Sequence, residues 1–173
     1  SLIISLKANS GDNLQGIINE SGKLIFIRHA YAPGAGDPDG FNLLNCSSQR
    51  NLNNEGILQS KRMKQFFLEN DITIDKVFSS EWCRCKQTAE YAFSNYETKS
   101  FLNSFYSQEF AHNKDAQTQE LKDYIKNYKK NKNLVFVTHY VVISELLNIY
   151  PSSGEIIIVN KDLTIIRRIK TNN

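Results

Sequence analysis

Read for apolar and polar positions alone, the chain alternates short unbroken apolar runs with longer stretches of helical period. Residues 23–28 (KLIFIR), 75–79 (DKVFS) and 134–138 (LVFVT) are such runs, each bounded by polar residues. Runs of that length read as strands covered on both faces, because a half-exposed strand would alternate. Residues 155–160 and 164–169 add two more strands, joined as a hairpin around Lys161 and Asp162. Ile57, Met63, Phe66 and Phe67 fall mostly on one face of a helix over 53–70, started by Asn53 or Asn54 and ended at Asn70. Further helices are predicted over 12–20, from a Ser80 cap to about Phe93, over 115–130 and over 141–149. Strands alternating with helices predict a three-layer α/β/α sandwich with a mostly parallel sheet. The expected division is an N-terminal segment, 1–22, and one domain, 23–173. The stretch 94–133 has room for one helix and little more, so no large cap over the sheet is expected.

In sheets of this kind, ligands bind in the crevice at the carboxyl ends of the strands. Three of the apolar runs deliver chemistry to that edge. The first ends in Arg28-His29, the second in Ser79-Ser80 with Arg84 shortly after, and the third in Thr138-His139. Neighbouring strand residues point to opposite faces. Arg28 and His29 therefore share a ligand only if the chain leaves the strand at His29, which the Pro/Gly-rich stretch YAPGAGDPDGFN promotes. Two imidazoles and two guanidiniums around one point suit a phosphoryl group. Arginine gives bidentate, permanently charged hydrogen bonds. A neutral imidazole is a nucleophile toward phosphorus, and the remaining cations stabilise the transferring oxygens. Ser80, ahead of a helix N-terminus, is a further phosphate contact. The chemistry requires no metal and the sequence holds no acidic cluster for one, so no cofactor is expected.

Composition narrows the partners. The 173 residues are 40% apolar and 23% charged, an ordinary globular mix with a net charge of +3. That mild excess of positive charge is compatible with an anionic substrate. The one lysine run, within 126–132, reads as a solvated helix end, and without a basic-aromatic patch no nucleic-acid partner is expected. No apolar run approaches the ~20 residues of a membrane span. The chain begins at Ser1, and its opening SLIISLKANS fits the remnant of a secretory h-region with a small-x-small cleavage site; a plain N-terminus fits the same residues. On this basis an exported, periplasmic location is favoured over a cytoplasmic one. Exported, Cys46 would pair with Cys83 or Cys85; in the cytoplasm all three would be buried thiols.

The segments LIFIRHA, QRNLNNEG, SSEWCRCKQTA and LVFVTH together resemble the histidine phosphatase superfamily, which includes the cofactor-dependent phosphoglycerate mutases. The resemblance runs from Lys23 to about Val159. It implies that His29 is the phosphorylated nucleophile and that Arg28, Arg84 and His139 complete the phosphate pocket, with Arg50 as a substrate contact. It implies a metal-independent phosphatase acting on phosphomonoesters or protein phosphohistidine through a phosphohistidine intermediate. The partner would be a phosphorylated small molecule or a phosphoprotein. A phosphoglycerate mutase-type phosphotransferase and a non-catalytic phosphate-binding protein are the alternatives. Ala30 replaces the family's usual glycine, Tyr140 follows the second histidine, and no Trp-Asn pair follows His29, which favours a phosphatase over a mutase. The general acid of the family is a carboxylate well after the second arginine, and Glu109 in SFYSQEF has about that separation; Asp37 and Asp39 are rivals. A phosphoramidate needs no such acid. His112 reads as solvent-exposed, and Trp82 either as a pocket wall or as helix-to-core packing.

Overall fold

A computed structural model describes residues 14–19 and 22–172. The segment that reads as a secretory remnant, and the possible cleavage site, lie outside the described residues. The strands are β1 (Leu24–Arg28), β2 (Lys76–Ser79), β3 (Glu97–Thr98), β4 (Leu134–Thr138), β5 (Ile156–Val159) and β6 (Ile165–Ile169). The helices are α1 (Leu14–Asn19), α2 (Asn54–Glu69), α3 (Cys83–Phe93), α4 (Lys114–Asn127) and α5 (Tyr140–Leu147). The sheet runs in the order β3-β2-β4-β1-β5-β6. The first four strands are mutually parallel, while β5 and β6 are antiparallel additions, β5 pairing with β1.

The central strands are apolar throughout because both faces are covered. Ile25 and Ile27 pack with Val135 and Val137 against α1, α2 and α3, through Ile18, Met63, Phe66 and Ala89. Leu24 and Phe26 point the other way, with Phe78 and Phe136, onto α4 and α5 through Leu121, Ile125, Val142 and Ile143. Phe26, Phe136 and Phe78 stack across three adjacent strands at centroid spacings of 5.0 and 5.7 Å. The helical part of the N-terminal segment thus joins the domain core, Ile18 being fully buried.

Two elements differ from expectation. Residues 94–133 hold more than one helix: β3 extends the sheet beside β2, and a 3-10 turn at Ser100–Leu102 sends Phe101 and Leu102 into the core. Ser80 does not cap α3. The helix begins at Cys83 with Trp82 in the cap position, and Arg84 is its second residue. The hydroxyl of Ser80 accepts instead from the Trp82 N–H (3.2 Å) and meets His139.

Register brings the strand ends together. Arg28 is paired with Thr138, and Ser79 with Val137, so the residues that follow leave the sheet at one edge. There the His29 N–H donates to Thr138 O (2.9 Å), and the Gly154 N–H lies within reach of both Arg28 O and His29 O. Gly154 has φ +70°, and a Cβ there would overlap Gln59 Nε2. The tight closure of the chain beside His29 therefore requires glycine.

Candidate active site

The carboxyl edge of β1, β2 and β4 opens into a cavity of about 170 Å³. Arg28, His29, Arg50, Arg84 and His139 line it, with Asp37, Phe41, Trp82 and Tyr140 among the walls. His29 and His139 are 2% and 3% exposed, and their rings meet edge-on at 5.6 Å between centroids.

The protonation of His29 follows from one contact. Its Nδ1 lies 2.8 Å from the carbonyl oxygen of Ala30, which only accepts, so Nδ1 carries the proton. Nε2 is then a bare lone pair. Burial, followed by the Arg84 charge, holds the imidazole well below the ordinary histidine range, so the lone pair is present at neutral pH. His139 is neutral for the same two leading reasons, with His29 itself adding to the depression. Its ring does not cap α5, although it occupies the cap position. Nε2 of His139 faces the Ser80 hydroxyl at 2.8 Å, and its ring lies edge-on to Trp82 at 5.4 Å.

The guanidiniums are held by the walls and surrounding loops of the cavity. Arg84 is 3% exposed and pairs through Nη1 with Asp37 Oδ1 at 2.8 Å. Arg28 donates from Nη1 to Pro151 O and lies over the ring of Tyr140 at 5.2 Å. The buried Nε groups of both Arg28 and Arg84 have no protein acceptor. Arg50 donates to Gly36 O (2.7 Å) and Ala32 O (2.6 Å), which folds the Pro/Gly-rich loop around the cavity. The 3-10 turn that follows this loop, Cys46–Ser48, is tied to the start of α3 by a Cys46–Cys83 disulfide, while Cys85 stays a buried thiol whose pKa burial pushes up to about 12.

The structure brings Arg28, His29, Arg84, His139 and Arg50 together, and does not bring Glu109 with them. Glu109 is exposed and lies outside the cavity lining, beyond Ser107, whose buried hydroxyl lines the cavity without a hydrogen-bond partner. Asp39 is also exposed and outside it. Asp37 is inside but engaged, accepting from Arg84, from the Arg50 N–H (3.0 Å) and from Trp82 Nε1 (2.9 Å). Burial alone would raise its pKa, but these donors and the Arg84 charge bring it below the usual carboxylate value. It stays ionised as the counter-ion of Arg84 and offers no proton. Ser80 is fully buried behind His139, outside the lining. His112 is exposed, and Trp82 is both core packing and a cavity wall. Sequence reasoning missed the Asp37–Arg84 pair and the parts of Tyr106 and Tyr140, which line the cavity with exposed rings. For Tyr140 the signal was its place directly after His139.

No family model matches the sequence, and no curated protein matches it. Solved structures do. The protein histidine phosphatase SixA, complexed with tungstate, is 15% identical and superposes with a TM-score of 0.63, covering 86% of this chain and 97% of its own. A candidate alpha-ribazole-5′-P phosphatase from Escherichia coli K-12 is 16% identical with a TM-score of 0.67, over 88% and 98% of the two chains. Phosphoglycerate mutase from Thermus thermophilus is 16% identical with a TM-score of 0.60, over 86% and 98%. The chain therefore has the phosphoglycerate mutase-like fold that these structures share.

Proposed function

We propose that the protein is a histidine phosphatase that hydrolyses phosphomonoesters or protein phosphohistidine through a phosphohistidine on His29. One observation carries the reading: His29, with a bare imidazole Nε2, lines the same cavity as Arg28 and Arg84, two arginines whose buried Nε–H groups have no protein acceptor. Buried donors left unpaired are costly, and a phosphoryl oxygen relieves that cost. The fold shared with SixA and with the phosphatase and mutase structures supports the class of reaction.

In the first step the His29 Nε2 lone pair forms the N–P bond while the P–O or P–N bond to the leaving group breaks, its electron pair leaving with that group. Arg28, Arg84 and His139 hold the equatorial oxygens. Water then attacks phosphorus, loses a proton to solvent, and returns neutral His29 and inorganic phosphate. With Asp37 held ionised and Glu109 outside, the leaving group draws no proton from either. Substrates whose leaving group departs readily, such as aryl phosphates and phosphoramidates, fit this site better than alkyl phosphates. We further propose an oxidising, periplasmic setting, supported by the Cys46–Cys83 disulfide.

The test is hydrolysis of para-nitrophenyl phosphate between pH 4 and 8 with a chelator present, by the native protein and by His29→Ala. Chelator-resistant turnover that disappears in His29→Ala supports the proposal. Turnover that survives the substitution, or a native protein that binds vanadate without turnover, overturns it.

A further inference from the structure

Taking the cavity as a phosphoryl site, we infer that Ser80 is a positioning residue that holds His139 as its Nδ1–H tautomer, so that His139 donates a hydrogen bond to the phosphoryl group. Only the role toward the phosphoryl group rests on the functional reading; the tautomer itself is a property of the free protein.

Counting protons assigns the tautomer. His139 is buried and neutral, so one ring nitrogen carries hydrogen and the other a lone pair. Nε2 meets the Ser80 hydroxyl at 2.8 Å and the Cys85 sulfur at 3.5 Å, neither of which lines the cavity. Both neighbours carry a proton to give, the thiol being far from ionisation. The Ser80 oxygen already accepts from the Trp82 N–H. Its own proton has His139 Nε2 at 2.8 Å and Asn103 Oδ1 at 3.2 Å within reach, and the Cys85 sulfur as a weaker acceptor. The Asn103 oxygen is independently satisfied by the Glu81 N–H at 2.9 Å. Its amide is also oriented by Glu81, to which it donates, so oxygen and nitrogen are not interchangeable. Nε2 has two proton carriers turned to it, the Ser80 hydroxyl, by the shorter of that group's two oxygen or nitrogen contacts, and the Cys85 thiol. Asn103 Oδ1 is satisfied without Ser80, so the Ser80 proton is assigned to Nε2. Nδ1, which no protein group among the described residues engages, then carries the hydrogen.

The two histidines are therefore neutral imidazoles of opposite role. His29 donates its Nδ1–H to Ala30 O and keeps a bare lone pair on Nε2. His139 accepts a hydrogen bond from Ser80 and keeps its own proton for the ligand. A phosphoryl oxygen in such a site would be repelled by a second bare lone pair, so the Ser80 hydroxyl decides whether His139 helps or hinders. A merely structural serine would not fix which nitrogen is protonated.

The experiment is long-range ¹H–¹⁵N correlation of ¹⁵N-histidine-labelled native protein at pH 7.5 without phosphate, with His139 assigned by comparison with His139→Gln. The expected pattern is a protonated Nδ1 and a bare Nε2. In Ser80→Ala, Nε2–H should gain population and kcat/KM for para-nitrophenyl phosphate should fall by about 10–100-fold, by analogy with lost partners that orient metal-ligating histidines. Ser80→Thr, which keeps the hydroxyl, should restore both. A native His139 protonated on Nε2, or on both nitrogens, overturns the inference even if Ser80→Ala cannot be purified folded. So does a folded Ser80→Ala with unchanged tautomer and rate. A native protein with the expected tautomer but no turnover would sink the phosphatase reading and leave this assignment standing.

Discussion

Asp37 shows how a single residue's role changes once its neighbours are known. In the sequence it is one of two acids in a flexible-looking loop and a candidate proton donor. In the fold its carboxylate takes three hydrogen bonds and neutralises a buried arginine. Breaking a buried ion pair from one side leaves the other charge stranded, at a cost of about 3–5 kcal/mol. Asp37→Asn, close in shape, is expected to lower unfolding free energy by that order in urea titration; a loss below about 1 kcal/mol would mean that Arg84 is solvated without it. Arg28, His29 and His139 were legible because each ends or follows an apolar run whose course the pattern predicts, and Arg84 because it opens the helix after another such run. Glu109 was chosen on separation along the chain, and chain separation within a segment lacking period does not specify position in space. Tyr106 and Ser107, from that same segment, were illegible for the same reason.

At the scale of elements, α2 carries a constraint that its propensity hides. Asn53 caps it by accepting from the Gly56 N–H at 3.0 Å. Glycine in a first turn would normally be improved by alanine, which loses less backbone entropy on folding. Here a Cβ on Gly56 would overlap Tyr31 O, a backbone atom of the loop that follows His29. Gly56→Ala is therefore expected to destabilise the protein by about 1–3 kcal/mol, the usual cost of overpacking, instead of stabilising it. Thermal unfolding checks the sign, and a raised Tm would show that the loop gives way. The expected strands match the observed ones to within a residue or two at their ends, because buried parallel strands write themselves as continuous apolar runs. β3 was not legible. It is two exposed residues, Glu97 and Thr98, held by backbone pairing to the end of β2 and by surface ion pairs from Glu97 to Lys76 and Lys99. The Ser80 cap failed because a serine before a helix has the same local appearance whether it bonds the helix or a histidine far along the chain.

For the whole molecule, keeping two buried histidines neutral has a measurable consequence. Burial comes first and the Arg84 charge second in pushing both below the ordinary value of about 6.5. Below that value the unfolded chain binds protons that the folded protein refuses, so folding stability falls as pH falls. Each histidine contributes a slope of up to about 1.4 kcal/mol per pH unit at 25 °C. Asp37 acts in the same direction only at lower pH, since its stabilising contribution is lost below the ordinary carboxylate range. Urea unfolding in phosphate-free buffer should therefore show stability already declining from pH 7 to pH 5, with a shallower decline in His139→Gln. A flat profile over that window would mean that the histidines take up protons in the folded state.

The whole arrangement, with parallel strands closing on one cavity lined by a neutral imidazole and by arginines that keep unpaired donors, makes sense if His29 becomes phosphorylated. The measurement that tests this most directly is rapid quench into alkali during turnover of para-nitrophenyl phosphate, followed by peptide mass spectrometry. The account predicts phosphate on the His29 peptide, stable in alkali, lost in acid and absent from His29→Ala. Turnover with no phosphorylated imidazole from the first milliseconds to steady state, or with the label on His139, would contradict it.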